Sequence, residues 1–246
     1  ASQAILQGLA TDGGLFTPLT TPEVTLDFDH LKDASYQEVA KLVLSAFLDD
    51  FTEEEFRNFD SYLARGGNLF ILGEPKRQQF MNPVIERLGL RFADGIIVSP
   101  SEVNLDDIIA ANIKEGAAKV SENYIRYFRR GYSIITPSAC AVEVIDTTKG
   151  FKITEVLASA SSGSWIEKET TDFINEKSVL NPAVGEVEKS NSIMLYLTRP
   201  VKNKEQRIFV IGDADCISTL ELSQNRAGFR SSNFTLITET FRNMSY

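Results

Sequence analysis

Apolar residues recur along this chain at two periods, and the switches between them predict its elements. Between Ser35 and Leu48, Val39, Leu42, Val43, Ala46 and Phe47 fall at helical spacing, with Ser35 and Glu38 forming a capping box. Thr52 and Glu55 form a second box ahead of a stripe of Phe56, Phe59, Tyr62 and Leu63, and Gly66-Gly67 end that helix. Short apolar runs of buried-strand type follow at Leu69–Leu72, Gly95–Val98 and Ser133–Thr136. Longer strands are predicted over Phe151–Ala158, Ser192–Leu197 and Arg207–Ile211. Helices are predicted between them at Met81–Leu88, entered at Pro83, at Glu122–Arg130, and as a helical turn at Asp106–Ala111.

Strands alternating with helices imply an α/β fold with a mainly parallel sheet covered on both faces, a three-layer α/β/α arrangement. The expected architecture is therefore such a unit carrying a helical amino-terminal appendage. Ligands in such sheets sit beyond the carboxyl ends of the strands, so chemistry is sought there.

Charge divides the chain. Of its 34 acidic and 25 basic side chains, ten acidic and two basic fall in residues 1–54. The remainder is nearly neutral, which places a boundary near 50–56 between a segment 1–54 and a unit 55–246. The formal charge of −9 argues against a nucleic-acid partner, which needs clustered Lys and Arg. No run of 18 apolar residues predicts a membrane span. The lack of an initiator Met and of a signal-peptide pattern suggests an excised or processed segment.

Composition narrows the chemistry further. One histidine, His30, removes most zinc sites and most Ser-His or Cys-His catalysis. Cys140 and Cys216 lie at the ends of apolar runs, with no metal-binding spacing, and read as buried thiols. The best-formed constellation is Gly212-Asp213-Ala214-Asp215, directly after the 207–211 strand. Two carboxylates at i and i+2 can hold a hard divalent cation, with Glu74, at the end of the 69–72 strand, as a third ligand. The alternative is that Gly212 allows an exit turn while Asp213 or Asp215 caps a following helix. The second reading is preferred, so no metal, cofactor or catalytic residue is assigned, and Glu74, Asp213 and Asp215 stand as ligand-binding candidates.

Other segments are weaker. Lys76-Arg77-Gln78-Gln79 could meet an anion but reads as a solvated loop. Thr136–Cys140 follows a strand where a nucleophile elbow would sit, yet lacks the flanking glycines and a histidine to activate Ser138 or Cys140. Ala158–Trp165 is a small-residue loop without phosphate-loop spacing. Asn233 and Asn243 open formal glycosylation triplets. Tyr124, Tyr127 and Phe128 are candidates for a partner-binding face.

Two resemblances meet at the charge boundary. QGLATDGGLFTP and SYQEVAKLVLSAFLDDFTEEE, in residues 1 to about 54, closely resemble the amino-terminal region of threonine synthase, a pyridoxal-phosphate enzyme that makes threonine from phosphohomoserine. No F-K-D motif for the Schiff-base lysine and no S-G-D-T-G phosphate loop follows, so the active site that this resemblance would require is missing.

Residues 52–229 resemble the GldG-like auxiliary domain of ABC-type transport systems in the Bacteroides group, through YLARGGNLFILGEPKRQQFMNP, the stretch Gly150–Phe173, LNPAVGEVEKS and EQRIFVIGDADCIS. That resemblance implies an extracytoplasmic three-layer α/β domain related to class I glutamine amidotransferases. Its partner would be a membrane-spanning permease subunit or another protein. The chain thus reads as composite, with a non-catalytic transport-related binding domain as the principal expectation and a threonine synthase relative lacking its active site as the alternative. The former implies the periplasmic side of the inner membrane, the latter the cytoplasm.

Overall fold

A computed structural model of the chain describes residues 53–170, 172–223, 226 and 228–245. The chain divides into two compact units, Ala1–Phe59 and Asp60–Tyr246. The predicted helix at Ser35–Leu48, and with it the expected helical appendage, lies outside the described residues, as does His30.

Helix α1 (Glu53–Ala64) ends where Gly66 turns left-handed at φ 77°. Strand β1 (Leu69–Leu72) is followed by α2 (Gln78–Ile85) and the short strands β2 (Leu90–Phe92) and β3 (Ile96–Val98). Asn82 of α2 fixes β2 by clasping the Phe92 backbone, accepting its amide at 2.9 Å and donating to its carbonyl at 3.2 Å. Pro83 sits inside α2 rather than at its entry.

Strand β4 (Ile108–Ile113) precedes α3 (Glu122–Arg129), β5 (Ile134–Pro137), β6 (Val142–Val144), β7 (Lys152–Ala158) and β8 (Trp165–Glu167). The long strands β9 (Ser192–Val201) and β10 (Lys204–Ile211) lead to α4 (Thr219–Ser223) and α5 (Asn233–Met244).

The principal sheet has six strands in the order β1-β10-β9-β7-β4-β5. Only β1 and β10 pair in parallel; every other neighbour in it is antiparallel. Two small antiparallel pairs, β2 with β6 and β3 with β8, flank it. This overturns the expected mainly parallel three-layer fold.

Two local causes account for the difference. The run expected to form a helical turn at Asp106–Ala111 enters strand β4 instead, because Ile108-Ile109 and Ala111 supply strand-type burial against β5. In addition, β9 and β10 join through the two residues Lys202-Asn203, with Lys202 at φ 55°, a tight hairpin that only antiparallel strands can use.

Helix α3 is capped by Ser121, whose Oγ accepts the Asn123 amide at 3.1 Å. Glu122 in its first turn and Arg126 and Arg129 in its last suit the helix dipole. The fully buried Tyr124 donates its hydroxyl to the Leu236 carbonyl at 3.0 Å, linking α3 to α5. The main core gathers Ile109, Tyr124, Ile134, Leu157, Ile193, Phe209 and Ile211, all at most 2% exposed. A satellite cluster of Ile96, Val98, Trp165 and Phe173 forms around β3 and β8.

A candidate acidic ligand site at the ends of β1 and β10

Because β1 and β10 run in parallel, their carboxyl ends emerge side by side. Each is followed by glycine, and each glycine is required by space. The Gly73 amide donates to the Ile211 carbonyl at 2.7 Å, and a Cβ at Gly73 would stand 2.5 Å from the Phe92 ring. Gly212 accepts the Cys140 amide at 2.8 Å and donates to the Ile193 carbonyl at 2.9 Å. A Cβ there would lie 1.8 Å from the Cys140 carbonyl oxygen. The two exit turns are thus drawn against the sheet end, and the acidic residues next in sequence converge.

Glu74, Asp213 and Asp215 each bring a carboxylate oxygen within 4.8 Å of the others. The three are graded from solvent to core, with Asp215 exposed, Glu74 half-buried and Asp213 fully buried. Asp213 Oδ1 accepts the Asp215 amide at 2.8 Å at the start of a short 3₁₀ turn, Asp215–Ile217. Its Oδ2 is buried and has no hydrogen-bond partner.

Burial, then the charges of Asp215 and Glu74, hold the Asp213 carboxyl well above the usual carboxylate range, although the Asp215 amide pulls the other way. Glu74 is raised first by burial and then by Asp215, with the Ala214 amide and Arg77 partly offsetting this. The structure therefore brings together all three ligand candidates seen in the sequence. The expected capping role of Asp213 or Asp215 is not what forms: the cap position of the following 3₁₀ turn is Ala214, with no side-chain cap bond, and Asp213 Oδ1 instead closes a tight turn on the Asp215 amide.

The two cysteines border this cluster. The Cys140 thiol donates to the Gly212 carbonyl and the Cys216 thiol to the Asp213 carbonyl, both at 3.2 Å. Burial, aided by neighbouring carboxylates, pushes Cys140 up to about 12 and Cys216 higher still, so neither offers a thiolate nucleophile or soft metal ligand.

The remaining sequence candidates fall elsewhere. Ser138 takes a left-handed conformation at φ 52° and donates to Asp107 Oδ2 at 2.5 Å. Lys76 and Arg77 are exposed, while Gln78 turns inward and donates to the Ala93 carbonyl at 3.1 Å. In the Ala158–Trp165 loop, the Gly163 amide is already taken by Glu188 at 2.7 Å, and Trp165 is buried with its indole N–H on Glu167.

Asn233 is 1% exposed and bonded to backbone on both sides, so it is no glycan acceptor in the folded chain. Tyr124 is core rather than surface, whereas Phe128 is 45% exposed. Two surface depressions, about 480 Å³ beside Arg126 and Arg129 and about 270 Å³ beside Asp94 and Lys168, contain no residue of the acidic cluster.

The family described as threonine synthase N terminus matches residues 1–61, about a quarter of the chain. That region is similar to it, as its motifs led one to expect. No curated protein and no solved structure matches the chain. Nothing in these comparisons supports the GldG-like resemblance, an ABC-type transport role or a periplasmic location. No helix among the described residues is long and apolar enough to cross a membrane.

The threonine synthase resemblance implies pyridoxal phosphate, which needs a desolvated lysine to form its Schiff base. Among the described residues no lysine is buried. The least exposed, Lys114, faces Glu155 at 3.8 Å and Ser190 at 3.5 Å. These residues do not fit the cofactor, and no step is derived through it.

Proposed function

We propose that the chain is a relative of threonine synthase in its amino-terminal segment alone, and that residues 60–246 form a binding unit for a positively charged ligand. The observation that carries this is the buried Asp213 carboxylate, which is grouped with those of Glu74 and Asp215 and leaves its Oδ2 unpartnered. A buried polar atom costs about 1–3 kcal/mol while unsatisfied, and a cationic group satisfies it while neutralising the carboxylates around it. The lack of a buried lysine among the described residues supports binding over pyridoxal-phosphate chemistry.

The test is a panel of melting curves with organic amines and metal cations set against phosphate and acetate. In parallel, the chain is incubated with pyridoxal phosphate and reduced with borohydride. Cations alone should raise the melting midpoint, and no lysine should carry a reduced pyridoxyl group. A lysine labelled stoichiometrically, or a panel in which no cation stabilises the chain, overturns the reading.

A further inference from the structure

We infer that Glu74, Asp213 and Asp215 form a binding site for one hard divalent cation, which ties the β1 and β10 exit turns together. This rests on the reading of residues 60–246 as a cation-binding unit and names the ligand. A turn-forming role accounts for Asp213 Oδ1, which holds the Asp215 amide. It leaves Oδ2 without explanation: the atom is sealed from water, has no donor, and belongs to a side chain with 0% exposure. A metal ion satisfies that atom and gathers the two neighbouring carboxylates in the same step.

The dimensions suit such an ion. Oxygens on opposite sides of Ca²⁺, bound at 2.3–2.6 Å, stand about 4.6–5.2 Å apart, and those around Mg²⁺ about 4.0–4.2 Å. Three carboxylate oxygens within 4.8 Å of one another lie at most about 2.8 Å from a common centre, so sharing one ion takes a few tenths of an ångström of movement for Ca²⁺ and more for Mg²⁺. The donor set is all oxygen, because the three gathered side chains are carboxylates and both nearby thiols are directed at backbone carbonyls. That selects Mg²⁺, Ca²⁺ or Mn²⁺ over Zn²⁺ or Cu²⁺. Exposed Asp215 marks the entry side, where water completes the coordination shell.

The experiment is calorimetric titration of the full chain, stripped with EDTA, with Ca²⁺, Mg²⁺ and Mn²⁺, accompanied by melting curves. The expected result is saturable binding to one site by at least one of the three ions, with a rise in melting midpoint that EDTA reverses. Asp213→Asn and Asp215→Asn should each weaken binding by more than the roughly 10- to 100-fold typical of an outer-shell change. Asp215 is exposed, so its variant reports on binding without threatening the fold. No heat and no stabilisation up to millimolar metal, or wild-type affinity in both variants, overturns the inference. Stabilisation by organic amines without metal binding overturns it too, yet leaves the broader cation-binding reading standing.

Discussion

The Asp213 carboxylate takes the Asp215 amide on Oδ1 at 2.8 Å and buries Oδ2 with nothing bonded to it. One half of the side chain builds the turn and the other half is unused by the protein itself. In EDTA, Asp213→Asn keeps the Oδ1 contact and removes a buried charge beside two other carboxylates. The relief of like-charge repulsion is set against a buried, unpartnered Nδ2, so the metal-free variant is expected to lie within about 1 kcal/mol of the parent at pH 7. Urea unfolding of both proteins in EDTA checks this; a variant destabilised by more than that amount would mean that the ionised carboxylate is satisfied in a way the structure lacks.

Gly212→Ala should be severe. The added methyl would meet the Cys140 carbonyl oxygen at 1.8 Å, a backbone atom that cannot step aside without breaking the Cys140-to-Gly212 hydrogen bond. Overpacking plus a lost buried hydrogen bond sets the expected cost at about 3 kcal/mol or more. Soluble yield and urea midpoint report it. A variant within 1 kcal/mol of the parent would show that the strand end is looser than this packing implies.

How much of this was legible beforehand follows from the range of the forces involved. Strands ending at Leu72 and Ile211 were readable from local apolar runs, and so were the acidic residues after them, because exit turns are written in neighbouring glycines and carboxylates. That β1 and β10 lie side by side was not, since pairing across more than a hundred residues leaves no local mark. Strand direction was lost for a similar reason. Ile108-Ile109-Ala110-Ala111 suits a helical turn or a buried strand equally by period, and only its pairing with β5 and β7 decides. Asn233 was missed because its role is to hold distant backbone; its sequence context shows a glycosylation triplet.

That role yields a further expectation. Asn233 Oδ1 accepts the Ile135 amide at 2.8 Å, while its Nδ2 donates to the Ile135 carbonyl at 2.7 Å and the Cys216 carbonyl at 2.8 Å. The side chain thus joins β5 to the turn behind the acidic cluster. Asn233→Ala strands three buried backbone groups and should cost about 2–4 kcal/mol. Chemical denaturation measures this directly, and a loss below 1 kcal/mol would indicate that water replaces the amide.

The pH dependence of stability should carry the signature of Asp106. Burial alone would raise its carboxyl, but the Ser178 amide and hydroxyl, Lys177 and the Ser101 amide outweigh that and hold it below the usual range. A group depressed in the folded state binds its proton more tightly when unfolded, so its contribution is present above the unfolded value near 4 and is lost as pH falls through the folded one. Glu167, depressed by amides of Thr170 and Glu169 against the opposing effect of burial, acts in the same direction. Glu74 and Asp213, which are raised, act oppositely above about pH 4, but they do so in parent and variant alike, so the difference between the two proteins isolates Asp106. Asp106→Asn should cost about 2–3 kcal/mol at pH 7, and its deficit should shrink as pH falls below about 4, where the unfolded chain takes up a proton that the folded carboxyl resists. Urea midpoints above and below that value decide it, because a deficit that stays constant would assign the loss to packing and leave no part to the charge.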